Sequence, residues 1–178
     1  EDADIRYSLE HPVNSKRLKD IIKPGEKIAI ITSDITRPMP TYKVMPELLA
    51  ELQAAGADFK DITLVFALGS HRKQTEEEKK KLAGEFAYQR INTVDSDPDD
   101  CIHMGVTANG TPVDITRVVA EADRRIALGN IEFHYFAGYS GGVKAIMPGV
   151  STPAAIQSNH KLMIRPESCA GRLEGNPV

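Results

Sequence analysis

Two short apolar runs, residues 27–32 and 62–68, constrain the fold of this chain more than any other feature. Both are rich in β-branched residues, which is typical of strands buried inside a sheet. Between them, apolar residues recur at helical spacing from Val44 to Leu52, and Gly56 stands where the end of a helix is expected. A strand, a helix and a second strand in this order predict a βαβ unit with parallel strands.

The rest of the chain continues this alternation. Thr75 and Glu78 form a capping-box pattern at the start of a charged surface helix over residues 76–82. The other predicted elements are a strand at 90–94, a hairpin turn at 109–110, a helix at 114–122, a strand at 124–130 and a last helix that begins at 151–153. The sequence therefore predicts an α/β fold with a mostly parallel, doubly wound, Rossmann-like sheet and helices on both faces.

The length of 178 residues and the hydrophobic content of 41% predict one domain with a full core. We expect this domain to span residues 27–170 and to bind a cofactor. Residues 1–26 are expected to form an N-terminal extension and lead-in that begins with an acidic, structureless stretch. The turn-rich end at 171–178 is expected to start a linker to a C-terminal domain that the chain does not contain.

Composition excludes several classes of partner. A net charge of −3 argues against a nucleic-acid ligand, because many phosphates would have to be neutralised. Cys101 and Cys169 have neither disulfide-scaffold nor metal-ligand spacing, which indicates a reducing compartment. No apolar run approaches the roughly 18 residues that span a bilayer, and the acidic start is unlike a signal peptide. We therefore expect a cytoplasmic protein with no membrane partner.

Polar side chains follow three of the predicted strands. Asp34 and Arg37 come just after the first strand, His71 after the second and His134 after the last. Because ligands of open α/β sheets bind beyond the carboxyl ends of the strands, these loops predict one shared site. Asp34 can alternatively cap the next helix and pair with Arg37. His103, like His11, lies away from the strand ends and is expected to be an ordinary surface or loop residue.

Lys144 follows a glycine-rich loop and has three possible roles. It can contact a phosphate, donate a proton or, when neutral, act as a nucleophile. The loop at 138–142 matches neither the phosphate-loop nor the dinucleotide-binding pattern. His160 is expected on a helix face with Ile156 and Met163, either as a buried structural residue or as a ligand of zinc, copper, iron or nickel.

Four motifs in this order give the chain a family resemblance, which covers residues 27–160. They lie at 33–40, 69–72, 134–149 and 158–160. Together they resemble the N-terminal domain of the lactate racemase family. The resemblance implies a nickel pincer nucleotide, the pyridinium-3-thioamide-5-thiocarboxylic acid mononucleotide with nickel, which separate biosynthetic proteins must supply. The cofactor can therefore be absent from this chain.

The resemblance also implies roles for individual residues. Lys144 would hold the cofactor through a thioamide, and His160 would complete the coordination of nickel. His71 and His134 would be the catalytic acid and base, and Arg37 would bind the substrate carboxylate. The further cofactor contacts would be Asp34, Thr36, Gly142 and Pro148.

The implied reaction interconverts the enantiomers of a small 2-hydroxy acid, of which lactate is one candidate. Removal of the carbon-bound hydrogen as hydride gives a planar keto acid, which is then reduced from the opposite face. One histidine takes the hydroxyl proton and the other serves the opposite enantiomer. The family's C-terminal domain completes the substrate pocket, so we expect this chain to be inactive alone.

Two other classes of function remain open at this point. A zinc-dependent hydrolase would use His71, His134 and His160 as ligands and would leave Lys144 as an anion contact. A non-catalytic nucleotide-binding domain would need only the glycine loop.

Overall fold

The computed structural model describes residues 2–37 and 39–178. Glu1 of the predicted N-terminal extension and Pro38 of the first motif lie outside the described residues. The strands are β1 (Ile28–Ser33), β2 (Ile62–Ala67), β3 (Asn92–Asp95), β4 (Cys101–Val106), β5 (Pro112–Thr116), β6 (Arg124–Ala127), β7 (Phe133–His134) and β8 (Gly138–Tyr139). The α-helices are α1 (Asp2–Glu10), α2 (Leu18–Ile21), α3 (Thr41–Ala54), α4 (Glu76–Ala83), α5 (Glu85–Tyr88), α6 (Arg117–Ala120) and α7 (Pro153–His160), and short 3₁₀ helices cover Phe59–Asp61, Gly142–Ala145 and Lys161–Ile164.

The centre of the molecule is a parallel sheet with the strand order β3-β2-β1-β6. Strand β1 lies in the middle, where Ile30 is level with Leu64 of β2 and Ile126 of β6. The predicted α/β class and parallel sheet are confirmed. The carboxyl ends of β1, β2 and β6 consequently meet at one edge of the sheet.

Both faces of the sheet are buried, which explains why β1 reads as a continuous apolar run. Ile28 and Ile30 pack on one face against a layer that includes α3. Ala29 and Ile31 pack on the other face with Val119 of α6 and with Val150. This second layer consists of the short helix α6 together with the β4–β5 hairpin and the segment that leads into α7, rather than of long helices.

Local capping signals fix the ends of several helices as predicted. The Thr75 hydroxyl accepts a hydrogen bond from the backbone N–H of Glu78, and the Glu78 carboxylate accepts one from the backbone N–H of Thr75, which completes the capping box of α4. Thr152 caps α7, and Pro153 occupies its first turn. Gly56 follows α3 with φ of +87°, a conformation that favours glycine.

The predicted helix at 114–122 is wrong for its first three residues. Residues up to Thr116 belong to β5, which pairs antiparallel with β4, and α6 covers only Arg117–Ala120. Buried Ile115 packs with the second core layer, while the side chain of Asp114 accepts a hydrogen bond from Thr152. Pairing with β4 therefore overrides the local helical signal. The predicted strand at 124–130 also ends earlier, at Ala127.

The acidic beginning of the chain is helical, so the expectation of a structureless stretch is wrong. Helix α1 covers Asp2–Glu10, and Arg6 makes a two-pronged ion pair with Glu47 of α3, with distances of 2.8 and 3.0 Å. At the other end, residues 171–178 contact the domain. The domain boundaries themselves stay predictions.

Two further structural features concern the cysteines and the helix lengths. Cys101 and Cys169 are both free thiols. Within residues 2–37 and 39–178, no helix has the length and apolar content needed to cross a membrane.

We predict that Thr75→Ala lowers the free energy of unfolding by about 0.5–2 kcal/mol, because the substitution removes the acceptor at the start of α4. Urea unfolding at equilibrium measures this loss. Glu77→Ala, at an exposed position of the same helix, is the control and should change stability by less than about 0.5 kcal/mol. Equal stabilities for Thr75→Ala and the unsubstituted protein would contradict the role of the capping box.

Candidate functional site

A cleft of about 570 Å³ opens at the carboxyl edge of the parallel sheet. Its walls come from the loops after β1, β2 and β6, from the β7–β8 hairpin and from α7. Gly142, the first residue of the 3₁₀ helix that also carries Lys144, is the one predicted site residue that does not line it. The predicted residues that do line it are Asp34, Thr36, Arg37, His71, His134, Lys144, Pro148 and His160.

A buried carboxylate holds His71 in place. Asp34 is 3% exposed, and its Oδ2 lies 2.6 Å from Nδ1 of His71. Its other oxygen accepts hydrogen bonds from the hydroxyl and the backbone N–H of Thr36, at 2.7 and 3.2 Å. Because the carboxylate accepts, Nδ1 of His71 carries the proton and Nε2 remains available for proton transfer. The structure thus gives Asp34 and Thr36 a contact with His71; their contact with a cofactor stays a prediction.

The Nδ1 atom of His134 makes a hydrogen bond of the opposite direction. Its Nδ1 accepts a hydrogen bond of 3.2 Å from the backbone N–H of Ala137, within the turn that joins β7 to β8. A neutral His134 therefore carries its proton on Nε2. Burial lowers the pKa of His134, and the positive charges of Lys144, His160 and Arg37 lower it further. Both effects favour the neutral form of the ring.

Lys144 is half-buried in the cleft wall. Burial lowers the pKa of its amine, and the nearby Arg37 guanidinium adds to this effect. The surrounding backbone is closely packed, because a Cβ at Gly129 would come within 2.8 Å of the Cα of Gly141. A lysine with a lowered pKa supplies more neutral amine at a given pH, which favours the nucleophilic role among its three possible roles.

His160 lies at the C-terminal end of α7. Burial lowers its pKa first, and the charge of Lys144 lowers it further. Ile156 shares its side of the helix and lines the cleft, as predicted. Met163 instead lies in the following 3₁₀ helix with 51% of its surface exposed, so its placement with Ile156 is wrong.

Phe136 is a site residue that the sequence analysis did not single out. Its ring stands edge-on to His134 with a centroid distance of 4.6 Å and to His160 with a distance of 5.3 Å. It therefore contacts both His134 and His160, for which the family resemblance implies different roles. The aromatic run at 133–136, directly around His134, was the signal available in the sequence.

The histidines do not form a joint metal site. Among residues 2–37 and 39–178, no three histidine, cysteine or carboxylate side chains are grouped so that they could hold a metal ion. A zinc site made of His71, His134 and His160 is therefore not supported. His103 pairs with Asp114, and His11 stacks on Tyr7; both are exposed and outside the cleft, as expected.

Fold and cleft together define an open α/β domain with a cleft beyond the carboxyl ends of parallel strands, where such domains bind their ligands. A family model described as the lactate racemase N-terminal domain matches residues 1–171. The chain therefore belongs to the lactate racemase family. It is 35% identical over 179 residues to a lactate racemase of Thermoanaerobacterium thermosaccharolyticum, a match that covers 98% of this chain and 42% of that protein.

Further relatives agree with this assignment. A lactate racemase of Lactiplantibacillus plantarum is 33% identical over 183 residues, which cover 100% of this chain and 43% of that protein. The structure of the lactate racemase apoprotein from T. thermosaccharolyticum superposes with a TM-score of 0.88 at 34% identity, covering 99% of this chain and 43% of that one. A crystal structure of a Thermotoga maritima protein shares the fold, with a TM-score of 0.77 at 21% identity, covering 99% of this chain and 45% of that one. The chain thus spans less than half the length of these relatives.

We predict that Lys144→Met stabilises the cofactor-free protein at neutral pH by about 0.5–2 kcal/mol, the usual size of the gain from one stabilising substitution. The pKa of Lys144 is lowered by burial and then by Arg37, so below that pKa the folded protein must hold an unfavourable positive charge. The unfolded chain binds this proton more tightly, so the penalty shrinks as the pH rises toward the ordinary lysine value of about 10.4.

Urea unfolding of both proteins at about pH 7 and about pH 10 measures this effect. The advantage of the variant should decrease at the higher pH. Lys16→Met, at an exposed position, is the matched control. An advantage of Lys144→Met that is the same at both pH values would contradict the electrostatic explanation.

Proposed function

We propose that this chain is the cofactor-binding half of a racemase or epimerase that acts on a small 2-hydroxy acid. One observation carries the proposal: loops that are distant in sequence bring His71, His134, Lys144 and His160 into a single cleft. Membership of the lactate racemase family supports the reaction class. Lactate is one candidate substrate among 2-hydroxy acids.

We propose the nickel pincer nucleotide as the cofactor because the donor set fits it. A pincer that grips nickel through its own sulfur and carbon atoms needs few protein ligands, and His160 offers one imidazole. Lys144, whose amine has a lowered pKa, fits a covalent attachment point. The cleft volume of about 570 Å³ lies in the range of small-molecule sites. When bound, the group would supply a hydride acceptor and donor.

The protein side chains would then bind the substrate and move its hydroxyl proton. Arg37 offers a planar pair of donors to the substrate carboxylate. His71, with its Nδ1–H held by Asp34, accepts the hydroxyl proton at Nε2. His134 carries its proton on Nε2 while its Nδ1 accepts from Ala137, so to take the hydroxyl proton of the opposite enantiomer at Nε2 its ring would give up that hydrogen bond and move its proton to Nδ1. Asp34 and Thr36 act in this scheme by positioning His71, while Pro148 would border the cofactor and Gly142, outside the cleft lining, would act only through the backbone of the Lys144 helix.

The complete activity needs more than this chain. Because the relatives are more than twice as long, we propose that a C-terminal domain completes the substrate pocket and that the chain alone is inactive. Cofactor-biosynthesis proteins would be required as further partners. A cytoplasmic location stays a prediction.

We predict a covalent adduct of nucleotide size on the full-length protein when it is expressed together with the cofactor-biosynthesis proteins. Intact-mass spectrometry should detect the adduct, and Lys144→Ala should abolish it because the attacking amine is gone. Lys161→Ala, next to His160 but exposed, should keep it. Bound zinc without an adduct would favour the hydrolase, and reversible nucleotide binding without metal would favour the non-catalytic domain.

We also predict that either His71→Ala or His134→Ala lowers racemisation in both directions by about 10²–10⁴-fold, the usual contribution of a general acid or base. Each direction uses one histidine as base and the other as acid. Chiral chromatography starting from each pure enantiomer measures the rates, and intact mass confirms that each variant carries the cofactor. His103→Ala, outside the cleft, should keep normal rates. Full activity of either cleft variant would refute the scheme with two histidines.

A further inference from the structure

Residues 171–176 lie against the turn at 135–137, which directly follows His134 and joins β7 to β8. The backbone N–H of Gly171 donates to the carbonyl of Gly138 at 2.9 Å. The side-chain amide of Asn176 donates to the carbonyl of Phe136 at 2.8 Å and to that of Arg172 at 3.2 Å. The two ends of the segment therefore bind two successive parts of the same turn.

Close packing makes this contact specific. Gly138 has φ of +81°, and a Cβ at this position would overlap the backbone oxygen of Arg172. The ring of Phe133, on the neighbouring strand β7, lies 3.3 Å from where a Cβ of Gly171 would be. The turn and the 171–176 segment thus meet backbone to backbone, which only glycine permits here.

The same turn holds the ring of His134 through a hydrogen bond and a ring contact. Ala137, which donates to Nδ1 of His134, lies between Phe136 and Gly138, the two residues that the segment binds. The Phe136 ring also contacts both His134 and His160. A shift of this turn would consequently move the Ala137 N–H and the aromatic ring together.

We propose that Asn176 is a positioning residue that holds the 135–137 turn and, through it, the orientation of His134 in the cleft. This inference rests on the proposed function, because it assigns His134 to proton transfer. Asn176 itself does not line the cleft, so it would act through the turn and not on the substrate.

The sharpest variant is Asn176→Asp in the full-length, cofactor-loaded protein. Aspartate has the same shape and still accepts the backbone N–H of Val178, which Asn176 Oδ1 accepts at 3.0 Å. It loses both donated hydrogen bonds and places an acceptor against the carbonyl of Phe136. Asn176→Ala is the second variant, because it removes the donor without introducing charge.

The matched control is Asn109→Ala. Asn109 donates its side-chain amide to the carbonyl of Pro177 at 3.1 Å and so binds the same end of the chain without contacting the His134 turn. If a substitution acted only by loosening the C-terminal residues, Asn109→Ala and Asn176→Ala would have equal effects. Only the proposed positioning role predicts a larger effect for Asn176→Ala than for Asn109→Ala.

We expect both Asn176 variants to lower kcat by about 10–100-fold, since a misplaced acid–base group costs this much. KM should change by less than about threefold, because Arg37 is untouched. Hydrogen exchange of the Ala137 amide should accelerate by about tenfold or more. Asn109→Ala should leave kcat and this exchange rate unchanged.

The outcomes separate this inference from the proposed function. If the unsubstituted, loaded protein is an active racemase and the Asn176 variants keep normal kcat and slow Ala137 exchange, the positioning role is refuted. If no 2-hydroxy acid is racemised but Ala137 exchange accelerates in the Asn176 variants alone, the proposed function fails while the hold on the turn is supported. Equal effects of Asn109→Ala and Asn176→Asp would also refute the role.

Discussion

Burial of β1 on both faces is the constraint on which the rest of the structure depends. Because β2 and β6 flank it in parallel register, all three strands end at the same edge of the sheet. The loops that follow these strands therefore lie next to one another. Asp34 and His71, which are 37 residues apart in sequence, lie within hydrogen-bond distance for this reason. The cleft is therefore a consequence of the sheet, and the chemistry depends on which side chains the loops carry.

The charges of the cleft favour an anionic occupant. Arg37, Lys144 and the two histidines at 134 and 160 influence one another, and the pKa values of Lys144, His134 and His160 are all lowered. Burial first, and then the neighbouring positive charges, disfavour the charged forms of these three groups in the empty cleft, and a bound anion would offset both effects. A nucleotide phosphate or a substrate carboxylate would meet that requirement. The same arrangement that weakens the empty domain thus prepares it for its ligand.

Sequence patterns predicted those parts of the fold that local interactions determine. The strands β1 and β2, the capping box at Thr75 and the start of α7 depend on neighbours within a few residues, so their signals are visible in the chain. Residues 114–116 of β5 read as the start of a helix, because their pairing with residues 101–103 of β4 leaves no signal in their own sequence. Helix α1 was missed because its ion pair joins Arg6 to Glu47, far along the chain. Non-local contacts overrode local preference in both cases.

At the candidate site, the sequence likewise predicts which histidines are present but not which of their ring nitrogens carries the proton. The motifs identify His71 and His134 as site residues, but they contain nothing about which ring nitrogen is protonated. That depends on Asp34, which accepts from Nδ1 of His71, and on the Ala137 N–H, which donates to Nδ1 of His134. In their neutral forms the two rings therefore carry the proton on opposite nitrogens, Nδ1 in His71 and Nε2 in His134. Two residues of one type are thus not interchangeable, and their difference arises from the loop and the turn that hold them.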